Sequence, residues 1–325
     1  MLPGMCQGPK EFPWKSSGSK TTTMFPLRRS GASLIESFLR TWFGKTYRPK
    51  VVVLGNLKGG SGKSTVAIHL GVGLMKCGYA VGSIDLDGHQ STLTHFMENR
   101  HRFRSTPGIE LELPKHYLIK PSPKTSRHRA DKEEALCFFE ALEEFSDKDV
   151  VVIDTPGNES NASRLGHIVA DTLITPVNDS FLDLDVFAQV DADAQTVFGP
   201  STYALSVLSR WGHRMRAGGK PIEWCVARNR ISKTNSRNRK QTSALLEELA
   251  ETLGYRVIPG LSDRVIYRDA FLYGLTVLDL PYEQLRKLAY KSLDSARDEI
   301  WEFAGQLDIS EFPKVGRRAS RPAAE

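Results

Sequence analysis

The chain has 325 residues, 40% of them hydrophobic and 25% charged, the balance of an ordinary globular protein with length enough for a sizeable core. No apolar run approaches the ~20 residues of a membrane-spanning helix. Four scattered cysteines, Cys6, Cys77, Cys137 and Cys225, lack the spacing of a zinc ribbon or a disulfide framework. The net charge of +6 is concentrated at the start: residues 1–50 hold nine Lys/Arg against two Asp/Glu, the remainder 35 against 36. Affinity for nucleic acid in the body therefore has to come from a local patch.

Residues 1–48 read as a basic, largely disordered extension, with Pro3, Pro13, Pro26 and a Ser/Thr/Lys stretch from Ser16 to Thr23. No apolar segment marks a secretory signal. Within the extension, Leu34, Ile35, Phe38, Leu39, Trp42 and Phe43 repeat at the spacing of one helical face, predicting an amphipathic helix over 33–43. Ser33 with Glu36 fits a capping box and Gly44 a stop. Such a helix either docks on the body, binds a partner or membrane surface, or belongs to sequence upstream of the true start. The pattern leaves the three open.

From residue 51 short apolar runs alternate with helical stretches. Val51–Leu54, Ala80–Ile84, Val150–Ile153, Thr172–Val177, Ile222–Val226 and Arg256–Ile258 read as buried strands. Ser64–Cys77, Lys132–Glu144 and Gln241–Leu253 carry helical patterns. This alternation predicts an α/β fold, a mostly parallel twisted sheet with helices on both faces, over residues 49–310. Residues 282–307 read as a long terminal helix and 311–325 as a flexible tail.

The strongest signal is Lys58-Gly59-Gly60-Ser61-Gly62-Lys63-Ser64-Thr65, which follows the first of these strands and opens a helix, the context of a P-loop. Glycines let backbone N–H groups approach phosphate oxygens, and the helix N-terminus favours negative charge. Lys63 is placed to reach the β- and γ-phosphates and Ser64 to ligate Mg²⁺. The loop departs from the ordinary form: Leu57 stands where the first glycine is expected, with a second lysine, Lys58, beside it. Two carboxylates, Asp85 and Asp87, close the second strand. Asp154 ends the apolar run from Val150, the Walker B pattern.

Residues 210–241 hold ten Lys/Arg and one acidic residue, Glu223. That density suits salt-sensitive, sequence-independent contacts with a phosphate backbone. No base-reading motif accompanies it.

Lys58 in the altered loop resembles the deviant Walker A box of the ParA/MinD family. Gly55-Asn56, Asp154-Thr155-Pro156-Gly157, the run from Thr175 to Phe181, Arg228-Asn229-Arg230, Arg237 to Lys240, Pro259-Gly260-Leu261, Asp263 to Arg268 and Phe271 to Leu280 look more specifically like the MipZ family. The resemblance implies a P-loop ATPase of the ParA/MinD type that uses ATP and Mg²⁺ and becomes a homodimer when ATP is bound. Lys58 would contact the nucleotide across the dimer and act with Lys63, Asp87 and Asp85 in catalysis. Asp87 would orient the attacking water, Asp85 would support the switch, and Asp154, with Ser64, would hold the metal through its water shell. Gly59, Gly60, Ser61, Gly62, Lys63, Ser64 and Thr65 would cradle phosphates, while Asn229, Pro259 and Gly260 would line the base pocket. Arg237, Arg239, Lys240, Arg264, Arg230 and Lys233 would meet nonspecific DNA.

In that family the dimer holds to the nucleoid and inhibits polymerisation of FtsZ, while ParB captures monomers near the cell poles. The resemblance thus implies a cytoplasmic, nucleoid-associated protein with no membrane contact. Other readings stay open: a ParA-type partition ATPase moving DNA or another cargo, a P-loop biosynthetic enzyme, or a MinD-like membrane switch using residues 34–43 as its anchor.

Overall fold

A computed structural model of the chain describes residues 10–11, 34–178, 181–190, 197–230, 237–280 and 293–307. In chain order the elements are β1 (Lys10–Glu11), α1 (Leu34–Phe43), β2 (Lys50–Leu54), α2 (Lys63–Lys76), β3 (Val81–Asp85), α3 (Thr92–Arg104) and β4 (Lys115–Leu118). They continue with α4 (Arg127–Glu143), β5 (Val150–Asp154), α5 (Asn161–Val169), β6 (Thr172–Asn178), α6 (Phe181–Leu184), β7 (Ala188–Val190) and β8 (Val197–Pro200). The chain then forms α7 (Thr202–Arg216), β9 (Glu223–Asn229), α8 (Arg237–Leu253), β10 (Arg256–Pro259), α9 (Val265–Phe271) and α10 (Leu293–Gly305).

The main sheet has the order β1-β4-β3-β5-β2-β6-β9-β10. Every pairing is parallel except that of β1 with β4. Consecutive strand residues point to opposite faces, and here both faces are dry. Val51, Val53, Val151 and Ile153 enter one core with side chains of α1, α4, α5, α7 and α8. Val52, Leu54, Val150 and Val152 enter the other with α2, α3, α9 and α10. That is the α/β fold expected from the apolar runs. β4 and the β7–β8 hairpin carry no clear signal in the sequence, since Lys115-His116-Tyr117-Leu118 alternates neither as a half-exposed strand nor as a buried one. Of the terminal helix expected over 282–307, the described part runs Leu293–Gly305; residues 281–292, and the tail from 308, lie outside the described residues.

α1 is packed into the body. Phe38, Leu39 and Trp42 are buried. The Phe38 ring stacks on Phe139 of α4, centroids 3.8 Å apart. Lys45 sits 4.8 Å from the centre of the fully buried Trp42 ring and pairs with Glu143. Arg48 donates twice to Asp171, at 2.6 and 2.7 Å, and Arg214 reaches the same carboxylate from α7. Burial pushes the Asp171 carboxyl up, but the two guanidiniums outweigh it and hold it below the usual carboxylate range. These contacts are those of a helix docked on the body.

Candidate nucleotide site

Register brings the acidic strand ends together. Asp85 of β3 and Leu54 of β2 both pair with Asp154 of β5, so the loop after Leu54 leaves the sheet beside two carboxylates. That loop is the P-loop, and α2 starts at Lys63 with Gly62 as its cap. Gly62 has no side chain to cap the first-turn amides, and such amides suit an anion. Gly62 has φ 92, and a Cβ on it would lie 2.1 Å from the Asn229 amide nitrogen. The position admits only glycine, on conformation and on space.

Two buried asparagines clasp the loop. Asn56 donates to the Pro176 carbonyl at 2.7 Å and accepts from the Lys58 N–H at 2.8 Å. Asn229, 2% exposed, donates to the Ser61 carbonyl at 2.8 Å and accepts from the Leu261 N–H at 3.0 Å. Asn229, the residue expected near the base, therefore ties the loop after β10 to the phosphate loop. Pro259 ends β10 and Gly260 follows it; a Cβ on Gly260 would lie 2.2 Å from the Arg228 carbonyl oxygen. Tyr203 donates to the Gly55 carbonyl at 2.9 Å and shares a hydroxyl contact with Thr175, bracing the loop from behind.

The two lysines of the loop are held differently. Lys63 is buried, its ammonium donating to the Lys58 carbonyl at 3.0 Å. Burial lowers its pKa against the pull of Asp154 and Asp87. Lys58 keeps 36% of its side chain exposed and faces Asp183 at 3.3 Å; Asp183 also accepts from the Asn178 N–H at 2.9 Å.

The carboxylates divide their work. Asp85 has no exposed surface and accepts from Asp87 N–H, Thr94 N–H and the Thr94 hydroxyl, at 2.9, 3.0 and 2.9 Å. Burial pushes it up to about 6 despite those bonds. It shapes the loop and meets no solvent. Asp87 is half-buried at the loop's open side, with one carboxylate oxygen accepting from the Gln90 N–H at 3.1 Å. Asp154 is buried with neither oxygen hydrogen-bonded. Burial, with Asp85 and Asp87 adding, pushes it up to about 8 against Ser64 and Lys63. An orphaned carboxylate next to the Ser64 hydroxyl and an open phosphate loop is a donor set suited to Mg²⁺. Thr155 donates to the Leu54 carbonyl at 2.7 Å, tying the exit of β5 to the strand that feeds the loop.

The basic stretch is less uniform than its composition. Arg214 is buried on Asp171. Arg264 caps α9 and is 12% exposed, with its guanidinium on Glu299 of α10; Ser262 and Tyr267 donate to the same carboxylate. Arg264, expected as a DNA contact, pairs with Glu299 within this cluster. Arg230 is exposed, at φ 51. Arg237, Arg239 and Lys240 lie on the first turn of α8, where only the backbone is described, and Lys233 lies outside the described residues.

A phosphate loop between a central parallel strand and a helix, flanked by two acidic strand ends and carrying a second outward lysine, defines a P-loop nucleotide-binding protein of the ParA/MinD type. The profile of the family described as "ATPase MipZ" matches residues 50–311. The chain belongs to the MipZ family of P-loop ATPases. Solved structures agree on the fold: apo McdA from Cyanothece superposes with a TM-score of 0.52 at 20% identity, covering 78% of this chain and all of McdA. A point variant of Cyanothece McdA in complex with ATP gives 0.51 at 20% identity, covering 78% and 97%. No curated protein matches the sequence. Among the described residues no helix is long and apolar enough to cross a membrane.

Proposed function

We propose that the chain is an ATP-driven monomer–dimer switch that sets the position of cell division. The observation that carries the reading is the unequal placement of the two loop lysines. Lys63 is enclosed at the helix N-terminus, where its charge serves the nucleotide of its own chain. Lys58 points outward, against a carboxylate it can exchange. A cation so placed serves a nucleotide bound to a second copy.

In this reading Lys63 and the loop amides bind the β- and γ-phosphates of ATP, and Ser64 and Asp154 hold the Mg²⁺ shell. The metal supplies neutralisation of phosphate charge. Asp85 fixes the loop from which Asp87 orients the attacking water. Hydrolysis to ADP and phosphate removes the ligand that joins the subunits, so turnover times a binding switch. The dimer binds nucleoid DNA nonspecifically through Arg230, Lys233, Arg237, Arg239 and Lys240 and inhibits FtsZ polymerisation. ParB returns the protein to the poles.

The test is FtsZ assembly, followed by pelleting and light scattering, with Asp87→Ala in ATP or ADP. The reading expects shortened or lost polymers in ATP alone. Unaffected polymers in the presence of ATP-dependent dimers would overturn division control and leave partition or cargo positioning on the same switch.

A further inference from the structure

Behind Asp85 runs a buried chain of hydrogen bonds that phosphate binding does not use. Ser83 of β3 and His116 of β4 are paired across the sheet, with Ser83 Oγ 2.9 Å from His116 Nδ1. His116 Nε2 lies 2.9 Å from Thr94 Oγ1, and that hydroxyl is 2.9 Å from Asp85 Oδ2. All four residues are at most 2% exposed.

The donors and acceptors allow one direction. As a carboxylate Asp85 only accepts, so the single Thr94 hydroxyl proton is committed to it. Thr94 Oγ1 then has only lone pairs for the imidazole, and His116 must carry its proton on Nε2. Burial pushes His116 down to about 3, so the ring is neutral and Nδ1 is bare. Nδ1 accepts from the Ser83 hydroxyl. The wire thus runs from Ser83 through His116 and Thr94 to Asp85, whose other oxygen holds the Asp87 N–H.

We propose that His116 is a positioning residue for ATP hydrolysis: its Nε2–H aims the Thr94 hydroxyl at Asp85 and thereby fixes the loop that presents Asp87. The proposal rests on the reading that Asp87 acts on the attacking water. His116 touches neither the water nor the nucleotide. It keys β3, β4 and α3 into one arrangement of the Asp87 loop.

The experiment compares two amides. In His116→Gln the amide nitrogen reaches the place of Nε2 and keeps the donor to Thr94; in His116→Asn the amide ends near Nδ1 and loses it. Steady-state hydrolysis at fixed protein concentration should show kcat lower by about tenfold in His116→Asn, the weight of one buried hydrogen bond between neutral groups. KM should stay within about twofold, and His116→Gln should approach the native rate. Thr94→Val against Thr94→Ser repeats the comparison should either histidine variant fail to fold. Nitrogen-15 NMR of the native imidazole should show the Nε2–H tautomer. Equal kcat in the paired variants, or an Nδ1–H tautomer, would overturn the proposal. If the native chain hydrolyses no ATP, the functional reading fails, and the tautomer alone still decides whether the wire exists.

Discussion

Removing the Trp42 indole by Trp42→Ala tests whether α1 is part of the folded body. A tryptophan withdraws ~150–250 Å² from water, which at ~25 cal/mol per Å² is worth about 4–6 kcal/mol. Against this stands its indole N–H, buried with no acceptor, whose lost hydration costs about 1–3 kcal/mol. The net expectation is a loss of about 3 kcal/mol of unfolding free energy, in the range of large-to-alanine changes in other cores. Urea unfolding followed by far-ultraviolet circular dichroism reads it directly, as a lower midpoint at unchanged slope. Arg40→Ala is the control, because the Arg40–Glu36 pair on the same helix is exposed and worth at most about 0.5 kcal/mol. A Trp42→Ala unfolding free energy within about 0.5 kcal/mol of the native value would refute the docked helix.

Other outcomes follow from named contacts. Asp183→Asn removes the counter-ion of Lys58, so ATP-dependent self-association in analytical ultracentrifugation should strengthen; an unchanged dissociation constant would make the pair incidental. Asp279 holds the fully buried Arg100 through two bonds of 2.8 and 3.0 Å. Asp279→Ala strands that guanidinium and should cost about 3–5 kcal/mol in a denaturation curve. Burial pushes His69 down to about 4, below the ordinary histidine value, so the unfolded chain binds the proton first and the neutral ring's contribution falls as pH drops from 6.5 toward 4. The stability advantage of the native chain over His69→Gln should therefore shrink by about 2 kcal/mol between pH 7.5 and pH 5. Taking the difference between the two chains cancels the opposite trend of Asp85 and Asp154, whose pKa values are raised.

The phosphate loop was legible because its chemistry is contiguous: eight successive residues carry the glycines, the lysines and the hydroxyl. The strands were legible where both faces are buried, as in Val150-Val151-Val152-Ile153, since only an interior strand tolerates such a run. What escaped the sequence depends on distance along the chain. Lys58 meets Asp183 across 125 positions, and His116 meets Thr94 across 22; neither spacing belongs to a helix or strand period. The positive stretch at 210–241 showed how many charges exist and not which are already matched, so Arg214 looked like surface until Asp171 was placed against it. The same holds for Arg264, whose partner Glu299 arrives from α10. The helical period at 34–43 showed a face that needs covering, and only Phe139 and Asp171 show what covers it.

Parallel strands give the sheet two unlike rims. Nucleotide chemistry occupies the rim where β2, β3 and β5 end, whereas the Arg48–Asp171–Arg214 joint fastens α1 at the rim where β2 and β6 begin. Load carried by α1 thus enters the body at the rim away from the phosphates, whereas β1, ahead of it in the chain, pairs with Tyr117 and Leu118 at the end of β4 that lies beside Asp85. A tether on α1 and a tether on β1 would therefore pull on opposite rims of one sheet.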